Sequence, residues 1–157
     1  MMTKLIATPE EFYAHALAIE REAAERYAEF TEWFAMRNTA LSKLCARLAT
    51  LEGEHFRELA ESCARLELPE IAVGDYNWIE RESPEASARE FFYRAANSRQ
   101  LLELALAAEM RAHAFFVEVA RTAPDRGVRE LAAVMAAEEN EHVAWVREAL
   151  ESHATLT

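Results

Sequence analysis

Ala136–Trp145 reads AAEENEHVAW, and Thr50–Leu59 reads TLEGEHFREL. In each, a glutamate stands three residues before a histidine: Glu139 with His142, and Glu52 with His55. On a helix, positions i and i+3 share one face. A carboxylate and an imidazole at that spacing can reach one metal ion together. Two such pairs, on two helices, would be two halves of one site. Spacing alone decides little, because glutamate is abundant: of 28 acidic residues only Asp75 and Asp125 are aspartate. The rest of the chain carries the weight.

The chain has 157 residues, enough for one domain with a real core. It is 52% hydrophobic, with three Gly and four Pro. Good helix formers dominate and β-branched residues are few, which predicts an all-α protein. The net charge of −11 argues against nucleic acid as a partner, since phosphates need a basic surface. It does not argue against cations. Most of the glutamates read as a solvated helix surface.

Cys45 and Cys63 would sit ~27 Å apart on one helix at ~1.5 Å per residue, too far to bond. No CxxC occurs, so a zinc ribbon or rubredoxin-type iron site is absent. Met1–Thr8 reads as a short tail without a signal peptide's apolar core. No apolar run approaches the ~20 residues of a membrane span. A reducing cytoplasm is the expected location.

Helices are predicted over about 9–37, 39–66, 84–122 and 125–151, in one domain spanning 1–157. A long crossover fills about 67–83. Thr8, Pro9 and Glu11 make a helix start, and Asn38 or Thr39 can cap the second helix. Ser83-Pro84-Glu85 starts the third piece, with Ser98 as a possible restart. The first stripe is Phe12, Ala16, Ile19, Ala23, Tyr27, Phe30 and Phe34, with Glu20 set inside it. The second is Leu41, Leu44, Cys45, Leu48 and Leu59, interrupted by Glu52 and His55. The third is Leu102, Leu106, Ala112, Phe116 and Val119, interrupted by Glu109. The fourth is Val128, Leu131, Met135, Val146 and Leu150, interrupted by Glu139 and His142. A carboxylate on a core-facing stripe needs a compensating partner.

Three observations turn these interruptions into a constellation. First, Ala18-Ile19-Glu20 with Ala23 and Tyr27 repeats as Ala107-Ala108-Glu109 with Ala112 and Phe116. Glu52 follows Glu20 by 32 positions (52 − 20), and Glu139 follows Glu109 by 30 (139 − 109). The chain is two similar helical hairpins. Second, the midpoints between each lone Glu and its Glu-x-x-His pair fall at Arg37/Asn38 and Pro124/Asp125. Those are the turns already chosen from capping and proline signals. Third, four carboxylates balance two divalent cations, and two neutral imidazoles complete the shell. Without metal they would repel one another and their pKa values would rise.

One Glu from each of two helices, with Glu-x-x-His from each of the other two, is the pattern of ferritin-like di-iron bundles. AIEREAAERY (Ala18–Tyr27), LEGEHF (Leu51–Phe56) and AEENEHVAW (Ala137–Trp145) resemble the metal-binding helices of the rubrerythrin group, a likeness covering about Phe12 to Leu150. It implies a four-helix bundle of two antiparallel hairpins joined by a long crossover. It implies Glu20, Glu52, His55, Glu109, Glu139 and His142 as ligands to two iron ions, with manganese or zinc as other occupants. Which carboxylates bridge is left open. Tyr27 matches a tyrosine that in the group hydrogen-bonds a ligand from across the bundle. The implied activity is reduction of peroxide or dioxygen with oxidation of Fe(II), of the peroxidase or ferroxidase type.

Ala112 stands where the group usually places a further Glu tied to peroxide chemistry. The rubredoxin domain of many members is missing, so electrons would come from a separate protein. The other readings are an iron-binding or iron-delivery protein, and a helical interaction module with a structural metal. Trp33 and Phe34, taken as exposed, point to a homodimer. His113 reads as a boundary residue, or else as a hydrogen-bond donor behind a ligand or a substitute ligand, His15 and His153 as surface, and Cys45 as a small core residue. Trp33, Trp78 and Trp145 read as packing or interface residues rather than electron relays.

Overall fold

A computed structural model describes residues 5–71, 93–94 and 96–155. Among the described residues, four long helices run in chain order: α1 Pro9–Ala35, α2 Thr39–Ser62, α3 Ser98–Thr122 and α4 Arg126–Thr155. α1 packs along α2, and α3 along α4. The fold is the all-α, ferritin-like bundle of two antiparallel hairpins that the residue pattern predicts. The predicted crossover falls mostly on residues 72–92, outside the described residues. Tyr76, Trp78, Ile79 and the Ser83-Pro84-Glu85 start lie there too.

Each helix begins where its first amide groups find a side-chain acceptor. Thr8 Oγ1 accepts from the Glu11 amide at 3.1 Å, with Pro9 at the first helical position. Asn38 Oδ1 accepts from the Leu41 amide at 3.0 Å, so Asn38 is the cap of α2. Asn97 and Gln100 form a reciprocal capping box at 2.9 Å in both directions. That box starts α3 afresh at Ser98, and Ala96 and Asn97 are not helical. The helix expected over 84–122 thus does not run through Ala96–Asn97 but restarts at Ser98, while its expected start at 84–92 lies outside the described residues. Asp125 Oδ1 accepts from the Val128 amide at 2.9 Å and opens α4.

Two other ends differ from expectation. α2 stops at Ser62 rather than near Leu66, because its buried stripe runs out at Leu59 and Cys63. α4 continues to Thr155, so the tail expected to fray after Ser152 is helical there. Among the described residues, no helix is long and apolar enough to cross a membrane.

The core is two apolar plugs. One gathers Phe12, Ala16, Ile19, Phe116, Val119, Val128 and Met135. The other gathers Tyr27, Phe34, Leu41, Leu48, Leu101, Leu102 and Val146. On every stripe the interrupting glutamate lies between them. Burial pushes the Cys45 thiol up to about 12, which fits a small core residue.

Three surface expectations are corrected. His15 is buried and stacks on Phe115 at 5.7 Å between ring centroids. Phe34 is fully buried, and Trp33 is half-buried with its indole N–H donating to the Tyr93 carbonyl at 2.8 Å. An exposed Trp33–Phe34 patch is therefore not available to support a dimer. His153 is half-buried as well. His113 holds the boundary position expected of it.

Gly53 sits mid-helix in α2. A Cβ there would meet nothing within 4 Å, so no close approach requires it. Gly53→Ala is expected to raise stability by about 0.5–1 kcal/mol, through lower unfolded-state entropy. Urea unfolding followed by circular dichroism checks this.

Candidate metal centre

Between the plugs, Glu20, Glu52, Glu109, Glu139 and His142 are all at most 3% exposed. They come from all four helices, one carboxylate each, and His55 joins them at the edge with a side chain 15% exposed. Their atoms fall into two groups whose members lie within 4.8 Å of one another: Glu52, Glu109, Glu139 and His142, and Glu20, Glu52 and His55. All six sequence-predicted residues are thus brought together. Glu52 belongs to both groups. Its repeat partner Glu139 faces Glu109 and also reaches Glu20.

Whether the residues fit a metal can be judged from their hydrogen bonds. Both oxygens of Glu20, both of Glu52, and Nδ1 of His55 and of His142 are buried without hydrogen-bond partners. His142 Nδ1 lies 2.5 Å from Glu52 Oε1 and 3.8 Å from oxygens of Glu109 and Glu139, but not in hydrogen-bond geometry. His55 Nδ1 lies 3.7 Å from Glu20 Oε2. Buried polar atoms normally find partners. Ligand atoms held at ~2.0–2.2 Å from one ion lie at most about 4.4 Å apart, so contraction by a few tenths of an ångström suffices. The donor set of carboxylates and imidazoles, with two of each carrying orphaned atoms, fits divalent cations.

Magnitude makes the same point. At ~4 Å, two like unit charges repel by about 4 kcal/mol for an effective dielectric near 20. Glu52, Glu109 and Glu139 alone make three such pairs, which rivals the ~5–15 kcal/mol by which a domain is stable. The metal-free fold therefore retains protons. Burial, then the neighbouring Glu52 and Glu109, hold Glu20 well above the usual carboxylate range. Burial and Glu109 do the same to Glu139. Burial would raise Glu109 too, but the adjacent Glu139, the charge of His142 and the Tyr27 hydrogen bond outweigh it and hold Glu109 below its ordinary value. His142 is opposed by burial, yet Glu109 and Glu52 push it up to about 10.

Tyr27 sits where the sequence reading placed it, bridging hairpins: its phenol donates to Glu109 Oε1 at 2.5 Å across 82 residues of chain. Burial and the adjacent Glu109 raise its pKa far above the ordinary value, so it stays a donor. Its repeat partner Phe116 has no hydroxyl, and Glu20 accordingly lacks the donor that Glu109 has. Glu138, which the sequence reading missed, has its Oε2 3.3 Å from His55 Nε2. The one signal for it was its place beside Glu139, and the abundance of glutamate hid that.

A small cavity of about 20 Å³ opens beside Glu109 and Glu139, lined also by Ile19, Ala23, Ala108, Ala112 and Arg26. α2 and α4 carry His three residues after their Glu, while α1 and α3 carry Ala23 and Ala112 there. Two methyl groups in place of two imidazoles leave that side of the carboxylates reachable.

A solved structure similar to this chain is that of an uncharacterized conserved protein from Magnetospirillum magnetotacticum MS-1. The two are 32% identical, and the match covers 92% of this chain and 95% of that one with a TM-score of 0.79. The chain belongs to that protein's family. No family model matches the chain, and none of the curated proteins does.

Proton linkage gives a test of the metal-free state. Unfolded carboxyls titrate near 4.5 and imidazole near 6.5. Glu20 and Glu139 keep their protons higher than that in the fold, and His142 keeps its own to about 10. The folded state thus binds more protons than the unfolded one across this window, so its stability falls as pH rises. Glu109 works in the opposite sense, and only as pH falls below the ordinary carboxylate value. Metal-free protein is expected to melt higher near pH ~6 than near pH ~9. Loading with metal displaces those protons, so the gain in melting temperature grows with pH. Differential scanning calorimetry of the two forms checks both signs.

Proposed function

We propose that this chain is a rubrerythrin-like di-iron carboxylate protein that reduces peroxide or dioxygen while oxidising Fe(II). The observation that carries the reading is the pair of buried donor groups sharing Glu52. Iron is favoured because oxygen and imidazole ligation with open positions suits Fe(II) and oxygen chemistry. Glu20, Glu52, His55, Glu109, Glu139 and His142 would hold the two ions, manganese or zinc being the rival occupants. Two ferrous ions, when bound, supply two electrons to the oxidant.

The chain's own residues do the rest. Four carboxylates neutralise four positive charges in a layer closed above and below by apolar plugs. Tyr27 keeps Glu109 in one orientation through its hydrogen bond. The cavity beside Ala112 has room for a molecule about the size of one water, which suits a small oxidant and excludes larger ones. Arg26 lines the same cavity, ion-paired at 3.2 Å with Glu22, which lines it too. Electrons for repeated turnover would come from a separate donor protein.

One observation favours a second reading. Ala112 supplies no carboxylate where the rubrerythrin group usually has one, and a protein that binds or delivers iron without sustained turnover needs none there. The two readings separate on anaerobic Fe(II) loading followed by peroxide or oxygen. Rapid oxidation repeated on addition of reductant supports the enzyme; a single oxidation with iron retained supports binding.

Glu139→Ala combined with His142→Ala is expected to abolish paired-metal uptake while the protein stays helical. Equilibrium dialysis with metal analysis, alongside far-ultraviolet circular dichroism, measures both. Undiminished uptake of two ions per chain by the double variant would overturn the assignment.

A further inference from the structure

The two halves of the centre are built from repeats that do not match. Glu52 and His55 correspond to Glu139 and His142 at a constant offset of 87 residues (139 − 52 and 142 − 55). His142 is sealed at 3% exposure, and the half it belongs to includes Glu109, locked by Tyr27. His55 is 15% exposed, and beside it Glu20 has no hydrogen-bond partner. At the same offset Glu138 corresponds to Leu51. One imidazole therefore has a carboxylate behind it, and the repeat position for the other holds an apolar residue.

His55 spans inside to outside. Its Nδ1 faces buried Glu20 at 3.7 Å, and its Nε2 faces Glu138 at 3.3 Å. The Glu138 side chain is 39% exposed, and the charge of Glu58 acts on it from α2. A carboxylate that accepts from the far nitrogen of a ligating imidazole fixes the tautomer and aims the near nitrogen at the metal. Two acidic groups at a solvent-facing edge also concentrate cations there. On the His142 side the described residues show no comparable carboxylate within ion-pair distance of Nε2.

We propose that Glu138 is a positioning residue for one metal only, and that divalent cations load and leave through the His55 edge it marks. The His55 half is then the exchangeable half, and the His142 half retains its ion. The inference rests on the two-metal reading above.

Co(II) is the probe, followed by its visible absorption and by isothermal titration calorimetry. Wild-type protein is expected to bind two Co(II) in two resolved steps, and EDTA to strip one ion fast and one slowly. His55→Ala should delete the fast-exchanging ion and His142→Ala the slow one. Glu138→Gln should weaken one of the two steps by about 10–100-fold, leave the other unchanged and slow the fast uptake phase. Glu138→Asp should restore part of the loss, which a merely structural role would not produce. Glu141→Gln, an exposed carboxylate on the same helix, serves as the control and should change neither step.

If Glu138→Gln binds both ions as the wild type does, or weakens both equally, the proposal is wrong while the two-metal reading stands. If the wild-type chain takes up no pair of Co(II), both fall together.

Discussion

Four carboxylates confined to one layer of a helical bundle set the terms for everything else in this structure. Fully ionised and alone, they would repel by an energy comparable to the stability of the whole domain. Protons or cations must therefore share the layer. The protein has disposed its remaining resources around that demand. Apolar plugs on both sides deny the glutamates water. Each helix contributes a single carboxylate, so no helix carries the repulsion by itself. Imidazoles on α2 and α4 supply neutral donors that a cation can use and that protons alone leave unsatisfied.

Duplication explains the economy of the arrangement and its asymmetry. Two similar hairpins bring two similar half-sites together, and Glu52 belongs to both groups. Yet the surroundings of the halves have diverged. Tyr27 secures Glu109, while Phe116 offers Glu20 nothing. Glu138 stands behind His55, while Leu51 occupies the matching place in the other repeat. A pair of metals held this way would not be a pair of equals.

The fold was legible because its signals are local and repeated. Phe12, Ala16, Ile19, Ala23, Tyr27, Phe30 and Phe34 fall at helical spacing and are all buried. Thr8 and Asn38 cap helices where capping chemistry says they should. The six candidate ligands were legible for a different reason: charged residues on an apolar stripe contradict the stripe, and the contradiction repeats after each turn. What misled was exposure. That Phe34 joins an apolar plug and that His15 stacks on Phe115 both depend on which residues meet in space.

The sequence by itself determined four helices, their pairing into hairpins and the level at which the carboxylates meet, because helical period and turn position are properties of the chain alone. Only the tertiary structure decided that Glu52 is shared by both donor groups, that Glu138 backs His55, and that a small cavity lies beside Ala23 and Ala112. Those facts depend on the angle and rotation at which one hairpin meets the other. No spacing within a single helix encodes them.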